Sequence, residues 1–136
     1  MPFLNWNDTL GVGVKALDED HKRMAALIDE LHEGILSAQS NEILEDILSR
    51  LIDCTRSHFA REEKLLAEAD YPNVSVHKAQ HDALAEWAIQ TEIDFYRGTL
   101  TAPLLDVVNQ MKDWFLAHMN GPDHLYGAHL NAMGIY

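Results

Sequence analysis

Apolar side chains recur every three to four residues over most of the chain, and the places where that rhythm fails divide it into four helices. From Asp18, which reads as an N-cap, to about Ala38, the residues Met24, Leu27, Ile28, Leu31 and Ile35 mark one buried face. Ser40 or Asn41 caps a second helix, whose stripe is Ile43, Leu44, Ile47, Leu48, Leu51, Ile52, Phe59, Leu65 and Leu66. Asp70-Tyr71-Pro72-Asn73 interrupts it, because proline cannot extend the hydrogen-bond ladder and biases its predecessor away from helix. A third helix is predicted from about Val74 to Tyr96, closed by Gly98. A fourth starts near Thr101 with Pro103 in its first turn, where the missing N–H does no harm. Leu104, Val107, Val108, Met111 and Phe115 carry its apolar face as far as Asn120-Gly121-Pro122, where it should stop before a short tail. Residues 1–17 hold no sustained period, and Pro2, Gly11 and Gly13 predict an irregular arm.

With no strand-like alternation and only short links, the pattern predicts an all-α fold. It is an antiparallel up-down-up-down four-helix bundle with an irregular N-terminal arm and a short C-terminal tail. At 136 residues and 47% hydrophobic content, the chain is long enough for one core and too short for two, so one domain over 1–136 is expected. A formal net charge of -12 argues against nucleic acid and anionic membranes, both of which would repel it. No apolar stretch approaches the roughly 18 residues of a membrane span, and the N-terminus lacks a basic start followed by an apolar run. A cytoplasmic protein is therefore expected. Cys54, the single cysteine, allows no internal disulfide and reads as a packing residue.

Charge and composition leave function open; the placement of the histidines does not. His58 and Glu62 lie four apart within the second helix, as do His77 and His81 within the third, so each pair shares a helical face and can chelate one site. His21 falls on the same side as Ala25 and Ile28 and faces the core. His118 and Asp123 are five apart, about 140° on an unbroken helix, so Gly121-Pro122 is expected to end the helix and let Asp123 turn back toward His118. Burying these seven groups without partners is costly, several kcal/mol for each charged one, and a metal cluster satisfies them together. Five imidazoles and two carboxylates suit a pair of iron ions.

The chain resembles the bacterial hemerythrins, dioxygen-binding proteins with a non-haem di-iron centre. The resemblance rests on Trp6, Gly11-Val12-Gly13-Val14, Asp18-Glu19-Asp20-His21, His58-Phe59-Ala60-Arg61-Glu62, His77-Lys78-Ala79-Gln80-His81 and His118-Met119-Asn120-Gly121-Pro122-Asp123, in the family's order. It implies His77, His81 and His118 on one iron, His21 and His58 on the other, and Glu62 and Asp123 bridging. Two six-coordinate irons offer about twelve positions. The histidines take five, the bridging carboxylates four and an oxo or hydroxo bridge two, which leaves one for dioxygen on the two-histidine iron.

Trp114, Phe115, Met24, Ile28 and Leu66 are expected by spacing to form an apolar pocket around that position. The family often carries leucine where Phe115 stands. The imidazole-rich set, without the Glu-x-x-His pattern of carboxylate-rich oxidases, implies reversible binding and no enzyme activity. The alternatives are an enzyme acting on peroxide or nitric oxide, and a redox or oxygen-sensing module. A monomer is expected, with an unidentified redox or oxygen-consuming protein as a possible partner. Glu63 should point away from the cluster, because adjacent helical residues differ by about 100°. His32 should cap or pack, and His124 and His129 should lie on the surface.

Overall fold

A computed structural model describes residues 3, 4 and 6–136; Pro2, part of the predicted arm, lies outside the described residues. The helices are α1 (Lys15–Leu36), α2 (Asn41–Glu68), α3 (Val74–Arg97), α4 (Leu104–His118) and, beyond a π-helical turn at Met119–Asp123, α5 (His124–Ala132). α1 packs against α2 and α4, and α2 against α3, in the predicted up-down-up-down order. Among the described residues there is no strand.

The boundaries follow local chemistry, with three departures from expectation. Ser40 is the N-cap of α2, its side chain accepting from the Ile43 N–H at 3.4 Å. Gly98 closes α3 in the left-handed conformation at φ 74°, which glycine adopts without the steric penalty of a Cβ. Asp18 is not an N-cap. α1 begins three residues earlier, at Lys15, and Asp18 Oδ1 accepts from the Val12 N–H at 2.7 Å, tying the arm to the helix. Pro103 is the N-cap residue of α4 and stands one position before its first turn. Ile43, expected in the buried stripe, is exposed, and its neighbour Leu44 carries the contact of the first turn with the core.

The core is two apolar clusters. One gathers Leu4 and Leu10 of the arm with Met24, Ile28 and Leu31, Leu48 to Ile52, Ala88 and Val107 to Phe115. The other joins Val12, Val14 and Leu17 to Leu66, Ala69, Tyr71, Tyr126 and Leu130. Along α1, His21 falls between Leu17 of the second cluster and Met24 of the first, so a polar layer separates the two. At the lower cluster α5 meets the arm closely: a Cβ on Gly127 would lie 2.2 Å from the Val12 carbonyl oxygen, so only glycine fits.

His124 and His129 are not free surface groups. Each is half-buried, with Nε2 donating to a backbone carbonyl: Gly11 at 2.9 Å for His124 and Ala69 at 2.7 Å for His129. They clasp α5 to the arm and to the end of α2. His32 packs, its ring stacked on Phe3 at 3.8 Å.

Candidate metal centre

All seven predicted side chains are buried and meet in the layer between the two clusters. They come from four helical segments. His21 comes from α1, His58 and Glu62 from α2, His77 and His81 from α3, and His118 from the end of α4. Asp123 closes the set, and its path differs from expectation. The chain does not break at Gly121-Pro122. It continues with right-handed helical dihedrals through a five-residue π-helical turn that contains Pro122, and then runs on as α5. A π-helical turn is wider than an α-turn and pairs residues five apart. His118 Nε2 and Asp123 Oδ1 consequently lie 3.0 Å apart.

The carboxylate oxygens divide cleanly between two groups of imidazoles. Glu62 Oε1 contacts His77 Nε2 and lies 3.2 Å from His81 Nε2, while its Oε2 lies 2.7 Å from His58 Nε2 and 3.7 Å from His21 Nε2. Asp123 repeats the division. Its Oδ1 is 3.1 Å from His77 and 3.0 Å from His118, and its Oδ2 is 3.3 Å from His21. Every imidazole therefore presents Nε2 to the centre, where His21 and His58 come within 2.9 Å of each other and His81 and His118 within 3.2 Å.

This donor set fits metal ions on its own chemistry. Asp123 Oδ1 is fully buried yet accepts no well-directed hydrogen bond from either neighbouring imidazole, an arrangement that a cation between them would satisfy. Burial alone would raise the Glu62 carboxyl, but the surrounding His21, His58, His77 and His81 hold it well below the usual range. Asp123 is likewise lowered: burial and the Glu62 charge oppose this, and His118 and His77 prevail. Burial would also depress His58 and His77, but the carboxylates of Asp20 and Glu62 beside the first, and of Asp123 and Glu62 beside the second, raise both to about 9. In the metal-free protein, then, protons hold places that metal ions would take.

Sequence reasoning missed several residues around the centre. Asp20 is buried and lies 3.0 Å from His58 Nδ1, with Arg61 hydrogen-bonded to the same carboxylate oxygen. Burial would raise the Asp20 carboxyl, but His58 and Arg61 lower it to about 2. Glu63 does not point away; its Oε2 is 3.0 Å from His81 Nδ1, because a long side chain reaches round the helix. Tyr126, also fully buried, donates from its hydroxyl to Glu62 Oε2 at 2.9 Å; burial and the nearby carboxylates push its pKa well above the ordinary value. A signal for Tyr126 existed, since it follows Asp123 by about one helical turn. Asp20 stands in the motif beside His21, but its contact crosses to a histidine on another helix, which spacing along the chain does not show.

One turn above the ligands on all four long helices lies an apolar cavity of about 40 Å³, lined by Met24, Ile28, Met111, Trp114 and Phe115 among others. A water needs about 10–15 Å³ by the same measure, so a diatomic molecule has room. Phe115 meets the His21 ring edge-on at 6.0 Å, and Trp114 stacks on His118 at 4.4 Å. Leu66 does not line this cavity. It belongs to the second apolar cluster, on the opposite side of the polar layer.

An antiparallel helical bundle with this buried imidazole and carboxylate set defines a metal-binding four-helix protein. Residues 12–130 match the hemerythrin HHE cation binding domain, and the chain belongs to the hemerythrin family. It is 31% identical over 135 residues to a bacteriohemerythrin of Stenotrophomonas maltophilia, covering 96% of this chain and 86% of that one. A bacteriohemerythrin of Methylococcus capsulatus is 29% identical, with 97% and 100% covered. The crystal structure of wild-type hemerythrin superposes with a TM-score of 0.88 at 26% identity, covering 94% of this chain and 98% of that one. No helix among the described residues is long and apolar enough to cross a membrane.

Proposed function

We propose that the chain binds dioxygen reversibly at a pair of iron ions. His77, His81 and His118 would hold one ion, His21 and His58 the other, and Glu62 and Asp123 would bridge the two. The division of the carboxylate oxygens carries this reading: each carboxylate turns one oxygen to the three-histidine group and the other to the two-histidine group. Reversible dioxygen binding is the chemistry that two ferrous ions supply when held by such a set.

The chain's own residues do the rest. Five neutral imidazoles and two carboxylates bring a charge of about -2 against two divalent cations, and the Asp20 and Glu63 carboxylates behind His58 and His81 offset part of the excess of about +2 that remains. The Tyr126 hydroxyl holds Glu62 in place from outside. Apolar walls at Met24, Ile28 and Phe115 keep water and protons away from the two-histidine side.

Binding without catalysis is supported by the cavity lining, which contains no acid and no histidine; its one ionisable side chain, Arg56, is exposed. A group positioned to pass protons to a bound ligand is what an enzyme acting on peroxide would need. We place the protein as a single domain over 1–136, acting as a cytoplasmic monomer, with a separate redox or oxygen-consuming protein as its partner.

The test is anaerobic reconstitution with ferrous iron followed by exposure to air. A visible charge-transfer band that disappears on deoxygenation and returns on re-exposure is expected. Immediate irreversible bleaching, or turnover of an added substrate with dioxygen consumption, would contradict reversible binding.

A further inference from the structure

Two carboxylates outside the seven ligands each hold the outer nitrogen of one imidazole, one in each half of the centre. Asp20 Oδ2 lies 3.0 Å from His58 Nδ1, and Glu63 Oε2 lies 3.0 Å from His81 Nδ1. Each is backed by surface cations: Asp20 by Arg61 and, at 3.7 Å, by Arg23; Glu63 by Lys78 at 3.7 Å. The two anchors differ in what surrounds them. Asp20 is 3% exposed, whereas Glu63 is half-buried and open to solvent. The second imidazole of the two-histidine half has no outer support, because His21 Nδ1 is buried without a hydrogen-bond partner.

We infer that Asp20 is the positioning residue of the two-histidine half, fixing the His58 ring with Nδ1–H outward and Nε2 toward the metal, and that Glu63 does the same for His81. An imidazole that donates Nδ1–H to a carboxylate keeps its Nε2 lone pair free and becomes the stronger donor. In the three-histidine half two further imidazoles share the load with His81. In the other half only His21 remains, so the loss of Asp20 acts on the weaker side. This rests on the two-iron reading above.

The experiment compares wild-type, Asp20→Asn and Glu63→Gln proteins after anaerobic loading with ferrous iron and removal of excess, counting iron per chain. The wild type should hold two ions. D20N should hold one tightly, the other weakened about 10- to 100-fold, and E63Q should keep both with a smaller loss. Adding His21→Ala to D20N should leave the remaining ion in place, whereas adding His81→Ala should release it. Proton and nitrogen-15 spectra of the zinc-loaded wild type supply a readout that does not depend on any variant folding: the Nδ1–H protons of His58 and His81, donated to carboxylates, should lie downfield of that of His21, which has no acceptor.

D20N retaining two ions at wild-type affinity, or losing both in parallel while still folded, would overturn the inference. So would a His58 Nδ1–H proton no further downfield than that of His21. A wild type that takes up fewer than two ions would instead overturn the functional reading itself, before any variant is compared.

Discussion

The two halves of the centre are built from the same residue types and differ by one donor. The α3 and α4 side presents His77, His81 and His118 with Glu62 Oε1 and Asp123 Oδ1; the α1 and α2 side presents His21 and His58 with Glu62 Oε2 and Asp123 Oδ2. The first half has five protein donors and the second four, so a bridging oxygen shared by two six-coordinate ions would complete the first and leave the second one donor short. The short side is also where Phe115 lies against His21, beneath the apolar cavity. On the proposed reading, one half would hold its ion and the other would receive a small apolar ligand.

The largest effect should come from erasing the distinction. Glu62 touches both halves, so Glu62→Ala should lower iron content below one per chain, measured by elemental analysis; two retained ions would mean that the bridge is misassigned. Removing one imidazole separates the halves. His118→Ala and His21→Ala should each leave about one ion per chain, the first losing it from the three-histidine half and the second from the two-histidine half, where dioxygen would bind.

Protons sharpen the comparison next, since His58 lies in one half and His77 in the other, both raised to about 9 in the metal-free protein. A raised histidine pKa stabilises the metal-free fold fully below its unfolded value near 6.5, and that contribution is lost as pH rises through about 9. Each ion must displace one of these protons, so the affinity for each should rise with pH, by about tenfold per unit between 7 and 8, and level off above 9. Potentiometric titration with ferrous iron measures the protons released; none released at pH 7 would contradict the charged pairs.

A pair of core substitutions gives the smallest change at the centre. Phe115→Leu enlarges the cavity beside His21 and should speed dioxygen dissociation about tenfold in stopped-flow measurements, at a stability cost of about 1 kcal/mol. Leu66→Ala should cost more stability, about 2–5 kcal/mol, because Leu66 is fully buried, yet leave the dissociation rate unchanged. Equal kinetic effects from both would mean that the cavity has no bearing on the ligand.

That contrast also shows what the sequence could and could not reveal. Spacing of four placed His58 with Glu62 and His77 with His81, because a helix repeats its face at that interval whatever surrounds it. The frame was legible for the same reason: periodic Leu and Ile at 3.6-residue intervals define helices locally, and Pro72 and Gly98 punctuate them. Leu66 shows the limit. It has the right helical face but lies below the polar layer, and height along a bundle depends on which clusters pack together. Asp123 was foreseen at the centre by the wrong route, since Gly-Pro signals a break in isolation and only packing of α5 against the arm carries the helix through it. Asp20 and Glu63 reach imidazoles on neighbouring helices, contacts that exist only once the bundle has closed.

The most direct test is anomalous diffraction from crystals of the iron-loaded protein. Two iron peaks should appear in each chain, both contacting Glu62 and Asp123, one among the Nε2 atoms of His77, His81 and His118 and the other beside His21 and His58. A single peak, or a second one outside this layer, would contradict the division of the centre into a holding half and a receiving half.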